Sequence, residues 1–147
     1  MSPHATMISM DTDRVGFPDP NATIAPLLAV ADLNRALEFW VTRVGGEAQL
    51  QWETYALVAV GEGQLHLAVT GDPPPDRPVR LVPPSLDREK ASGEVVIKVS
   101  NCRTVVATLE ERGVQFLGPP SEPAWGGEVR AFALDPDNHL LEITSSA

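Results

Sequence analysis

The stretch AFALDPDNHLLEIT, residues 131–144, decides how the rest of the chain is read. Asp135-Pro136-Asp137-Asn138 is turn chemistry, because proline presets φ while Asp and Asn bond their own backbone and tolerate left-handed φ. Apolar runs flank it, so the spacing predicts two short strands about a tight reversal. Glu142 stands out among Leu140, Leu141 and Ile143. Strand alternation sends it to the face opposite Leu141 and Ile143, and that face is either solvent or a polar cleft.

Working upstream, EVVIKVS (residues 94–100) alternates as a strand. Asn101 caps a helix over residues 102–112, with Val105, Val106 and Leu109 on its apolar face and Gly113 at its end. Strands are expected over residues 114–117 and 128–134, with a loop over residues 119–127. The first half repeats this order. Residues 21–30 read as a strand, with Pro26 marking an edge position or a bulge. Residues 34–44 carry Leu37, Trp40, Val41 and Val44 at helical spacing, and Gly45-Gly46 stops the helix. Three short strands follow over residues 47–50, 54–60 and 64–70.

The halves superpose by hand. A shift of 69 residues lays Asp32 on Asn101, Leu37 on Val106, Trp40 on Leu109 and Arg43 on Arg112. A shift of 76 lays the strand around His66 on the strand around Glu142. Each half reads β-α-β-β-β, a unit too small to bury its own sheet face, so two should pair across one core. The expected architecture is α+β: tandem βαβββ modules, residues 21–71 and 93–147, forming a curved mixed sheet around a central cleft. Residues 72–92 join them. Six prolines within residues 71–85 forbid a helix or a central strand and give a stiff extended connector, followed by a polar SLDREKASG with room for a helical turn.

A chain of 147 residues with 43% apolar content suits one domain with a real core. The net charge of −9 argues against nucleic acid and anionic membrane surfaces as partners. No apolar run reaches membrane-spanning length. Residues 1–20 lack the basic and apolar regions of a signal peptide and read as a disordered tail, so a cytoplasmic address is expected. The single Cys102 rules out an intrachain disulfide framework or a cysteine zinc knuckle.

The tandem repeat, the Val-x-Asp-Leu-x-x-Ala-x-x-Phe-Trp opening from Val30 to Trp40, and the closing Asp135-Pro136-Asp137-Asn138-His139-Leu140-Leu141-Glu142 together resemble the vicinal oxygen chelate superfamily. That group holds glyoxalase I, bleomycin-resistance proteins and extradiol dioxygenases. The likeness runs over residues 22–145, and Pro123-Ala124-Trp125-Gly126 with Arg130 resembles the family's loop in the second half. In place of the family's usual Asp-Pro-Asp-Gly-Asn, this turn carries Asn138 and His139; asparagine accepts the same left-handed φ.

The resemblance implies a glyoxalase/bleomycin-resistance/dioxygenase fold and four cleft positions, one on the first and last strand of each half. Here these are Ala25, His66, Glu94 and Glu142. Alanine cannot ligate, which leaves one imidazole and two carboxylates as a set for a divalent ion such as Mn, Fe, Ni, Zn or Mg. With metal, the implied chemistry is that of a lyase or isomerase, in which Glu94 or Glu142 moves a proton. The absence of a two-His, one-carboxylate set counts against a dioxygenase. Without metal, the implied function is drug or metabolite binding of the bleomycin-resistance type, with His66 a satisfied strand histidine and Glu94 an exposed strand end. The family likeness leaves both readings open.

Trp52, Tyr55 and Trp125 lie where cleft-lining aromatics occur, and Arg130 stands ready for an anionic substrate group or a surface ion pair. Trp40 is placed in the core, and Cys102, which aligns with Leu33, in a small buried role. His4 in the tail and His139 in the turn are poor ligand candidates. Family members often pair their halves between chains, so a homodimer with the cleft near the interface is expected.

Overall fold

The computed structural model describes residues 16–17 and 19–147. The tail expected over residues 1–20 lies largely outside the described residues. Seven strands and two helices follow in chain order: β1 (Leu27–Val30), α1 (Leu33–Leu37) running into a π-helical stretch (Glu38–Arg43), β2 (Glu47–Gln51), β3 (Tyr55–Val60), β4 (Gly63–Val69), β5 (Glu94–Lys98), α2 (Cys102–Glu111), β6 (Glu128–Leu134) and β7 (Leu140–Ser146). They form two sheets, one with strand order β1-β4-β3-β2 and one with order β5-β7-β6.

Both helices begin as their sequences require. Asp32 Oδ1 accepts from Arg35 N at 3.0 Å, and Asn101 Oδ1 accepts from Thr104 N at 3.1 Å, so equivalent positions of the repeat cap equivalent helices. The helix ends also answer each other. Gly45 at φ +97 and Gly113 at φ +90 reverse the chain. Arg43 Nη1 donates to the Gly113 carbonyl at 2.8 Å, and Arg112 Nη1 donates to the Arg43 carbonyl at 3.3 Å. A Cβ on either glycine would sit 2.9 Å from the opposing guanidinium and displace it, and the positive φ of both positions strains any other residue.

Strand alternation supplies one core shared by both halves. Leu28 and Val30 of β1, Ala56 and Val58 of β3, and Leu65 and Leu67 of β4 belong to the same cluster as Val129 and Ala131 of β6 and Leu141 and Ile143 of β7. Trp40, Val106 and Leu109 join it from the helices. Each fully buried aliphatic side chain contributes roughly 1.5–3 kcal/mol relative to exposure. Trp40 is thus a core residue, as its spacing implies.

The second half departs from the expected β-α-β-β-β. Residues 114–117 do not form a regular strand; Phe116 makes only an isolated bridge to Ala133, and Ser121 another to Arg130. Gly113 and Gly118-Pro119-Pro120 bracket the segment, and the two prolines carry no N–H with which to extend a ladder. The connector contains a turn at Arg88-Glu89 rather than a helix.

The decisive turn closes as its sequence requires. Asn138 sits at φ 67, and it is the only non-glycine residue with positive φ among the described residues. Asp135 Oδ1 accepts from the Asp137 and His139 amides at 2.9 and 2.8 Å. The turn is also bound to the first half. Asp137 Oδ1 accepts from Ala31 N at 3.0 Å and Arg35 Nη2 at 2.9 Å, and His139 Nε2 donates to the Ala29 carbonyl at 2.7 Å. Trp40 Nε1 donates to Asp135 Oδ2 at 3.2 Å. His139 is therefore structural.

Candidate functional site

The strand faces turned away from the core carry the candidate residues. On the first sheet, the register aligns Leu27 of β1, His66 of β4, Leu57 of β3 and Leu50 of β2 in one row. Tyr55 lies diagonal to His66, a separation long side chains can bridge, and a hydrogen bond joins Tyr55 Oη to His66 Nδ1. Trp52, just past β2, tilts against Tyr55 with ring centroids 6.2 Å apart. Ala25 is exposed ahead of β1; the β1 residue beside His66 is Leu27.

On the second sheet, the central row is Val96 of β5, Glu142 of β7 and Phe132 of β6. Glu94 pairs with Leu140 one row away, and Arg130 with Thr144 on the other side. Glu142 is only 7% exposed, flanked by an aliphatic and an aromatic side chain. Burial, and then the hydrogen bond and charge of Glu94, push its carboxyl up to about 7, against the opposing pull of Arg130. Near neutral pH the pair therefore holds a proton between two carboxyls, an arrangement suited to donating or accepting one.

Arg130 lies over two rings, its Cζ 4.8 Å from the Trp125 centroid and 5.2 Å from that of Phe132. Beside this stack lies a groove of about 670 Å³ over β6 and β7, closed on one side by connector residues Arg88 to Ala91.

The structure therefore brings Glu94 to Glu142, Tyr55 and Trp52 to His66, and Trp125 to Arg130. It does not bring His66 to the two glutamates: among the described residues no three His, Cys, Asp or Glu side chains gather into a metal-binding cluster. The expected His66-Glu94-Glu142 set is split because His66 lies on β4 of the first sheet, whereas Glu94 and Glu142 lie on β5 and β7 of the second. Within one chain these donors do not fit a divalent ion. Cys102 is buried, with Sγ 3.3 Å from the Ile143 carbonyl, and burial raises its thiol, as befits a packing residue.

Sequence reading left Phe132, Arg88 and Lys90 out of the site. The alternation of EVRAFAL does place Phe132 on the face of Arg130, a signal that was present. Nothing local marks the two connector cations, whose position depends on how a proline-rich segment crosses the sheet.

The family model for the Glyoxalase/Bleomycin resistance protein/Dioxygenase superfamily matches residues 22–143. Among solved structures, a glyoxalase/bleomycin resistance protein/dioxygenase from Nocardioides is similar at 20% identity and a TM-score of 0.68, covering 88% of this chain and 87% of its own. A protein of the same description from Alicyclobacillus acidocaldarius is similar at 20% identity and TM-score 0.64, over 88% of this chain and 94% of its own. TioX from Micromonospora sp. ML1 is similar at 21% identity and TM-score 0.61, over 86% and 97%. At such identity these likenesses speak to fold alone. No curated protein matches the chain. No helix among the described residues is long and apolar enough to cross a membrane. With the family model spanning both halves and the closing turn, the chain belongs to the Glyoxalase/Bleomycin resistance protein/Dioxygenase superfamily.

Proposed function

We propose that this chain is a metal-free binding protein for a small organic molecule, seated in the groove over β6 and β7. The observation that carries the reading is the groove itself, with Arg130, Phe132 and Leu140 along it and the Trp125 ring against Arg130. The Phe132 ring offers a flat apolar surface, and the Arg130 guanidinium offers directed hydrogen bonds. The expected result of a thermal-shift screen against metabolites and antibiotics is a set of compounds that raise Tm of the native protein and lose most of that effect on Phe132→Ala. Metal analysis of the same purified protein should find far less than one divalent ion per chain. Stoichiometric metal that is lost in Glu142→Gln would instead support a metal-dependent lyase or isomerase using His66, Glu94 and Glu142, with the first sheet of one chain meeting the second sheet of another.

That alternative invokes a homodimer, which the exposed apolar side chains also favour. Leu27, Leu50 and Val96 are exposed on the faces turned from the core, and Trp52 is 67% exposed. Exposed apolar side chains of this kind favour an interaction surface. The expected solution mass at micromolar concentration is twice 15.8 kDa. A monodisperse monomer with the fold intact would remove the dimer from the proposal.

A further inference from the structure

We infer that the ligand of the groove over β6 and β7 carries an anionic group, held by Arg88, Lys90 and Arg130 above an apolar floor. The inference rests on that groove being the binding site, and it assigns the connector a role in specificity.

The chain as a whole has 20 acidic and 11 basic side chains, yet the groove inverts this balance. Arg88, Lys90 and Arg130 line it against one acidic neighbour on the connector, Glu89. Phe132 and Leu140 provide its apolar floor, with Leu117 beside them. Glu142 and Glu128 also lie on this face of the sheet, but Glu142 is engaged with Glu94 on the β5 side.

The cations are available and positioned. Lys90 has one described ion partner, Asp87, at 3.7 Å, and its side chain is 83% exposed, so that contact is screened and weak. Among the described residues no carboxylate forms an ion pair with Arg88 or Arg130. Arg130 Cζ stands 4.8 Å from the Trp125 ring centroid and 5.2 Å from that of Phe132, contacts that restrain the guanidinium while its N–H groups can bond a carboxylate, phosphate or sulfonate. The connector turn is also built. Asp87 N donates to Ser85 Oγ at 3.2 Å, Asp87 Oδ1 accepts from Glu89 N at 3.0 Å, and Lys90 N donates to the Asp87 carbonyl at 3.3 Å. These bonds shape the segment that presents Arg88 and Lys90 to the groove. A charged head with an apolar body is the ligand chemistry that fits cations above such a floor.

The test compares two fluorescent probes of nearly equal aromatic body, anilinonaphthalene sulfonate and neutral phenylnaphthylamine, titrated into the full chain. The sulfonate should bind about tenfold more tightly or better, and high salt should reduce that advantage. Arg88→Gln combined with Lys90→Gln should erase most of it while leaving the neutral probe unchanged; both positions are exposed on the connector, so the fold should survive. Phe132→Ala should weaken both probes. Competition by inorganic phosphate would mark a phosphoryl head and competition by benzoate a carboxylate; either supports the inference. Equal affinity for the two probes, or a double variant that keeps the preference, overturns the anion assignment and leaves the groove reading standing. If neither probe binds, or Phe132→Ala affects neither, the groove reading fails and the anion assignment with it.

Discussion

Asp135→Ala is expected to lower stability by about 3 kcal/mol or more, measured by urea unfolding at neutral pH. Asp135 is 3% exposed and its two carboxyl oxygens serve three donors. Oδ1 takes the Asp137 and His139 amides, and Oδ2 takes the Trp40 indole. Alanine leaves all three without this acceptor, and each buried donor left unpaired costs roughly 1–3 kcal/mol. The turn itself loses the acceptor around which it closes. Asp135→Asn keeps one oxygen for the two amides and sets an NH₂ against the Trp40 N–H, so its loss should fall between native and alanine. A loss below about 1 kcal/mol for the alanine variant would show that the turn does not depend on this carboxyl.

Glu142→Gln should act in the opposite direction, stabilising the fold above neutral pH by about 2 kcal/mol. Glu142 titrates at an ordinary 4.5 when unfolded and at about 7 in the fold, because burial and Glu94 oppose its charge. Below pH 4.5 both states hold the proton, and this group's contribution is fully present. Between 4.5 and 7 the unfolded chain gives up its proton while the fold retains it, so stability falls as pH rises. Above 7 the fold must also ionise, and the loss is complete. Burial raises Asp135 as well, which adds to the same slope. A neutral glutamine keeps the hydrogen-bonding shape and removes the Glu142 part. Parallel stability–pH curves for native and variant protein would rule out a raised Glu142.

The repeat was legible because its signals are local. Asp32 and Asn101 are good caps, Gly45 and Gly113 stop their helices, and period-two alternation marks the core faces of β4 and β6. The turn at Asp135 to His139 announced itself by composition. What escaped depends on partners distant in sequence or on neighbouring strands. The family likeness gave His66 a place facing a cleft, and the structure does turn it from the core. The side chain it meets there was settled by strand register, which set Tyr55 within reach. The strand expected over residues 114–117 had the right apolar residues, but Pro119 and Pro120 end the ladder before it begins. Arg88 and Lys90 could not be placed from a polar run whose path is set only once the connector lies against the second sheet.

The clasp formed by the closing turn has a consequence for the order in which the protein matures on the ribosome. Residues 135–139 bond Ala29, Ala31, Arg35 and Trp40 across separations of 95 to 110 residues. Trp40, fully buried in the finished fold, has its indole N–H satisfied by a residue made 95 positions later. A nascent first half therefore exposes an incomplete core and an open β1 edge until the final strands emerge. Contacts that distant close slowly, and unpaired edges held open during synthesis are what chaperones bind. Chains truncated before Asp135 should depend on such help for as long as they exist, whereas the full chain needs it only until the turn has closed.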